Sequence, residues 1–179
     1  MKQTIIAVIC FLCVSSLYIQ AQKINHPSLL YTPQRIQQVK QRMQHEPKLQ
    51  EAWGDIKRTA DEALQKKDFN RLDYLSLAYL MTDNKEYADV IKEILLKTVE
   101  AESWGDVEMM ARIPAWRSQL GMAHKSFLSA IGYDAAYNIM SSSERKKIAE
   151  GLKRLAVEPA LGDWLLEPTR IHSLNSMGH

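Results

Sequence analysis

The chain has 179 residues, with 23 Lys+Arg against 21 Asp+Glu, a formal net charge of +2 and 46% hydrophobic residues. Charges this evenly balanced, with no basic block, exclude the footprint of a nucleic-acid binder. An acidic polymer would have to be recognised by a few local Arg, Lys or His side chains. The length suffices for one domain with a real core.

Residues 1–22 read as a signal peptide. Lys2 supplies a positive charge, and Ile5 to Tyr18 form an apolar run broken only by Ser15 and Ser16. Ala21 offers a small residue for cleavage. The run is too short for a comfortable membrane span, so removal is expected, with no stable membrane anchor afterwards and a periplasmic or secreted location. Ile9 before Cys10 and Leu12 before Cys13 do not suit lipoprotein processing. Both cysteines fall in this leader, so residues 23–179 offer no disulfide, thiolate nucleophile or zinc-thiolate site.

Beyond Pro27 the pattern is helical. Thr32 is placed to cap a first helix and Pro33 to open it, with Ile36, Val39 and Met43 at helical spacing and Pro47 closing it. A second helix is expected over about Leu49–Lys66. The third, about Asn70–Met81, is apolar over most of its girth and should be buried. After the turn at Thr82–Asn84, a fourth helix over about Lys85–Ala101 turns Tyr87, Val90, Ile91, Ile94, Leu95 and Val99 inward. Ser103 to Pro114 is less regular. A long helix follows over about Trp116–Met140, then a capping box with Ser141 as cap and Glu144 reaching back. The next helix points Ile148, Leu152, Leu155 and Ala156 inward and should close at Pro159, leaving short helix or loop to His179. No strand pattern competes. Short links between helices predict an all-α fold of antiparallel hairpins, either a solenoid or part of a toroid, and no fixed-period repeat supports the solenoid.

Three segments together resemble the heparinase II/III-like polysaccharide lyases, a family shared with several alginate lyases. They are His26-Pro27-Ser28-Leu29-Leu30-Tyr31-Thr32 with the helix after it, Leu75-Ser76-Leu77-Ala78-Tyr79-Leu80, and Ala130-Ile131-Gly132-Tyr133-Asp134-Ala135-Ala136-Tyr137. The resemblance implies an incomplete (α/α) toroid of paired helices followed by a β-sandwich, and β-elimination at uronic acids. That reaction removes a weakly acidic proton beside a carboxylate. The carboxylate must first be neutralised by Asn, Arg or His, and then Tyr or His takes the proton. The family's neutralising Asn belongs to an Asn-His or His-Asn type motif, and Asn175 and His179 fall in that neighbourhood. Its catalytic Tyr belongs to a later Gly- and Tyr-rich segment that this chain does not contain. Residues 23–179 are therefore expected to be the N-terminal helical portion of a larger lyase domain, inactive or nearly so alone, with last helices short of partners to cover their apolar faces.

Asn175 and His179 are the catalytic candidates, with Arg170 and His172 beside them on a cation-bearing loop that suits a uronate. Trp116 and Arg117 are candidates for a sugar platform and a carboxylate clamp, against the plainer reading of a core Trp and a surface Arg. Trp104 and Trp164 invite the same pair of readings. His124 is expected to be buried and hydrogen-bonded, Asp134 to bind a helix end or a neighbouring donor, and Tyr133 and Tyr137 to be core residues. The five histidines are scattered without ligand spacing, so neither metal nor cofactor is expected. The expected partner is an acidic polysaccharide or oligosaccharide. Two alternatives remain open: a toroid glycoside hydrolase drawing carboxylates from Asp106, Glu108 and Asp163, or a non-enzymatic helical-repeat binding module.

Overall fold

The computed structural model describes residues 24–113 and 115–166. Residues 1–22, read from the sequence as a signal peptide, and the four C-terminal candidates, Arg170, His172, Asn175 and His179, lie outside them. The described residues form an all-α structure with no strand among them. None of its helices is long and apolar enough to cross a membrane.

Helix α1, Pro33–Met43, starts where Thr32 accepts a hydrogen bond from the Arg35 N–H at 3.3 Å. Pro47 does not close it. Gln44–Glu46 make the turn, and Pro47 opens α2, Pro47–Lys66, where its missing N–H costs nothing because first-turn donors have no helical partner. Lys67 ends α2 in the left-handed region at φ 50°. A 3₁₀ turn, Phe69–Arg71, then feeds α3, Leu72–Thr82. Asp83, at φ 57°, and Asn84 make the link to α4, Lys85–Thr98, and the Asn84 side chain accepts from the Glu86 N–H at 3.0 Å. Asp106 caps the short α5, Val107–Met110, within the irregular stretch.

Helix α6, Leu120–Ala136, starts later than its apolar pattern suggests. The backbone N–H groups of Arg117 and Ser118 bond to the Asp163 carboxylate, and Gln119 becomes the cap. A 3₁₀ turn, Tyr137–Ile139, leads to α7, Ser142–Leu152, whose capping box has both halves in place. Pro159 does not end this region. A wider π-type turn, Lys153–Val157, passes into α8, Glu158–Leu161, and a second such turn covers Gly162–Leu166. The widened turn changes the bonding register ahead of the proline, which then sits in the first turn of α8.

Helix α3 is the centre, packed against α1, α2, α4 and α6. Its buried Leu72, Leu75 and Ala78 join Ile91 and Leu95 of α4, Leu128 of α6 and Ile148 of α7 in one core. The expected burial of α3 follows from this position. His124 departs from expectation: it is exposed, on the face of α6 that also carries the exposed Leu120 and Phe127. The buried face of that helix is formed by Met122, Leu128, Ile131 and Ala135.

Close helix approach depends on two glycines. At Gly132 a Cβ would sit 3.3 Å from Ile91 Cγ2 and 3.4 Å from Leu72 Cδ2, where α6 meets α3 and α4. At Gly151 a Cβ would overlap Val99 outright, 2.8 Å from its Cγ1. Val99 is β-branched and buried, so it has little room to yield. Gly151→Ala is expected to lower stability by about 1–3 kcal/mol, seen as a lower melting temperature with the helical signal retained. A melting temperature equal to the parent's would contradict this packing.

Candidate functional site

Two buried carboxylates organise the ends of the bundle. Asp134, on α6 and 3% exposed, accepts the backbone N–H groups of Ser28 at 2.8 Å and Leu29 at 2.8 Å. His26 Nδ1 lies 2.6 Å from its other oxygen and donates to it, since a carboxylate can only accept. The His26 ring stacks on Tyr137 with centroids 3.8 Å apart, and Asn138 donates to the His26 carbonyl at 2.8 Å. Tyr133 meets Tyr137 edge-on, and the Arg145 guanidinium lies over the Tyr137 ring. Asp134 thus binds a neighbouring set of donors. Tyr133 and Tyr137 are half-buried at this junction.

Asp163 repeats the device at the other end of α6. It is fully buried and accepts the N–H groups of Arg117 at 2.8 Å and Ser118 at 2.7 Å, with the Ser118 hydroxyl at 2.9 Å. The Arg117 guanidinium lies 3.4 Å from its second oxygen. The Trp164 indole, 44% exposed, donates to the Ser118 hydroxyl at 2.8 Å. Trp116 is half-buried, and its indole N–H is buried with no acceptor among the described residues. Of these two candidates, Arg117 is engaged with Asp163, while the Trp116 backbone N–H is donated to the Met109 carbonyl at 3.0 Å. Beside them an apolar groove of about 500 Å³ runs between α6 and α8, lined by Met122, Ala156, Leu161 and Trp164 among others. Exposed Val157, Leu165 and Leu166 extend the apolar surface.

A cavity of about 580 Å³ lies where the C-terminal ends of α2 and α4 meet the first half of α6. Its floor includes Phe69, Ile94, Ala101 and Trp104, and four lysines line it: Lys66, Lys67, Lys97 and Lys125. Trp104 is only 4% exposed, with its indole N–H donated to the Thr98 carbonyl at 3.3 Å. Lys67 is paired with Glu93 at 2.6 Å. Sequence reading missed this site because its members are spread from α2 to α6 and share no motif. The local signals were Trp104, offered as a sugar platform, and the Lys66-Lys67 pair just before Phe69.

A tyrosine that abstracts a proton needs its pKa brought down. Burial does the opposite here, pushing the phenols of Tyr31, Tyr79, Tyr87 and Tyr133 up. Tyr87 also donates to Asp61, whose carboxyl is held low by hydrogen bonds from Lys57 first and Tyr87 second. No group of three or more His, Cys, Asp or Glu side chains suited to a metal ion occurs among the described residues. No protein-family model, curated protein or solved structure matches the chain.

Tyr31 lines a small cavity of about 140 Å³ with Ile56, Asp73, Tyr74 and Leu77. Burial, then the charge of Asp73 and then Tyr74, push its phenol up to about 12. The neutral phenol is thus favoured by folding. This contribution to stability is complete below the unfolded value of about 10 and is lost as pH rises through about 12. Urea unfolding of Tyr31→Phe is expected to show a shallower loss of stability between about pH 10 and 12 than the parent. Identical alkaline profiles would contradict this placement of Tyr31.

Proposed function

We propose that these helices belong to an exported polysaccharide lyase that cleaves uronic-acid-containing glycans by β-elimination, and that they form part of an (α/α) toroid. One observation carries this reading: the three segments of the family resemblance meet at a single junction. His26, Ser28 and Leu29 of the first segment bind Asp134 of the third. Leu80 of the second lies in the same small recess as Pro27, Leu30, Ile131 and Ala135. Residues that resemble a family in order and also join in space form one structural unit, which supports kinship more than separate helical patterns would.

In this chemistry the carboxylate of the sugar is neutralised, the proton beside it is removed, the bond to the glycosidic oxygen breaks, and that oxygen receives a proton. Asn175 and His179 are assigned the neutralising role, with Arg170 and His172 binding the acidic chain. Arg117, expected as a carboxylate clamp, has its backbone N–H and guanidinium both engaged with Asp163.

The hydrolase alternative needs two carboxylates facing a sugar. Asp163 is fully buried under backbone donors, and Asp106 accepts the N–H groups of Glu108 and Met109 as a helix cap. Two of its three candidate carboxylates are thus occupied, which favours the lyase. The deciding assay incubates protein isolated from its source cells with oligouronates. Ultraviolet absorbance of an unsaturated uronate should rise in step with new reducing ends. Reducing ends without that absorbance would overturn the lyase in favour of a hydrolase, and neither signal would favour a binding module.

A further inference from the structure

The cavity between α2, α4 and α6 has a specific chemical character. Its floor is apolar and aromatic, from Phe69, Ile94 and Trp104, and its lining carries four lysines against the single carboxylate of Glu93. Glu93 is already paired with Lys67 at 2.6 Å and 2.7 Å. Lys66 and Lys125 make no ion pair among the described residues, and Lys97 makes none at contact distance, though its charge helps to hold the Glu100 carboxyl low. Lysines on a surface usually sit beside carboxylates or point apart, because like charges gathered together repel. Here they surround a recess of about 580 Å³, which is large enough for a sugar ring or two. The floor is also held in place, since the Trp104 indole is tied to the Thr98 carbonyl at 3.3 Å.

The requirements on a ligand follow from these two halves. It must carry negative charge at its edge to meet the ammonium groups and present a weakly polar face to the floor. A pyranose ring offers such a face through its C–H groups, while a carboxylate on the ring supplies the charge. Compact, strongly hydrated ammonium groups act as point charges and tolerate several orientations of that carboxylate. We propose that this cavity binds a carboxylated sugar unit, with the ring over Phe69 and the rim of Trp104 and the carboxylate among Lys66, Lys97 and Lys125. The assignment rests on the lyase reading for its choice of sugar and gives that reading a site for glycan contact apart from Asn175 and His179.

The test measures binding, not cleavage. The full chain is titrated by calorimetry with a short oligouronate, with the same oligomer after its carboxylates are reduced to alcohols, and with a sulfated neutral oligosaccharide. The oligouronate should bind, the reduced oligomer should not, and the sulfated one should bind more weakly. Each of Lys66→Ala, Lys97→Ala and Lys125→Ala should weaken oligouronate binding about 3-fold, as expected for exposed charge pairs. The triple variant should lose about 30-fold if the effects add. Lys146→Ala, which removes a pair with Glu150 outside the cavity, should leave binding unchanged. Thermal melts of the variants should match the parent's, because no described ion pair is lost at these three lysines.

Equal binding of the reduced oligomer would overturn the proposal, as would tighter binding of the sulfated one or indifference to the triple lysine variant. The two readings fail separately. Lysine-dependent binding with no unsaturated product from the source protein keeps the cavity and overturns the lyase. An unsaturated product with lysine-independent binding does the reverse.

Discussion

A buried carboxylate is stable only when its oxygens are filled, and Asp134 meets that condition by drawing an irregular segment of chain onto a helix. Three donors from His26, Ser28 and Leu29 converge on it, two of them backbone N–H groups. Hydrogen bonds to a charged acceptor are among the stronger ones, and losing the acceptor would strand the buried donors as well. The N-terminal segment thereby becomes a covering layer over the end of α6. Stacking of His26 on Tyr137, and the bond from Asn138 to the His26 carbonyl, extend the same contact.

Asp163 applies the constraint a second time, at the opposite end of α6. The Arg117 and Ser118 N–H groups are committed to the carboxylate, and the helix begins at Leu120, after the extended Gln119 that caps it. Both ends of α6 are thus pinned by aspartates distant in sequence from the loops they hold. Between them the helix packs on α3 and α4 through Gly132, Leu128 and Ile131. A helix fixed this way presents its remaining side chains at set positions. Lys125 in the lysine-lined cavity and Met122 in the apolar groove both depend on it.

Much of this was legible in the sequence where the signal was local. Thr32 before Pro33 and the Ser141–Glu144 box marked helix starts that the structure contains, because capping involves neighbours only. The apolar girth of Leu72–Thr82 marked a central helix, and Asp134 in an apolar stretch marked a carboxylate needing donors. Other features depended on tertiary structure. A proline reads equally as a stop or a start, and Pro47 and Pro159, which the apolar pattern reads as ends, sit in first turns. His124 was expected to be buried because apolar residues surround it on α6, yet Leu120 and Phe127 are themselves exposed. The cavity joining Phe69, Lys97, Trp104 and Lys125 left only separate traces in the sequence, the Lys66-Lys67 pair and Trp104 as a sugar-platform candidate, because its members come from different helices. Of the residues chosen from sequence as a site, Arg117 is bound to Asp163 with Trp116 next to it in the chain, and the other four lie outside the described residues.

The claim on which the rest depends is that Asp134 holds the N-terminal segment by its backbone. Hydrogen exchange at the Ser28 and Leu29 amides, followed in the parent and in Asp134→Ala, addresses it directly. Both amides should be protected in the parent and exchange at near-unprotected rates in the variant, while amides within α3 stay protected. Equal protection of Ser28 and Leu29 in the two proteins would contradict it.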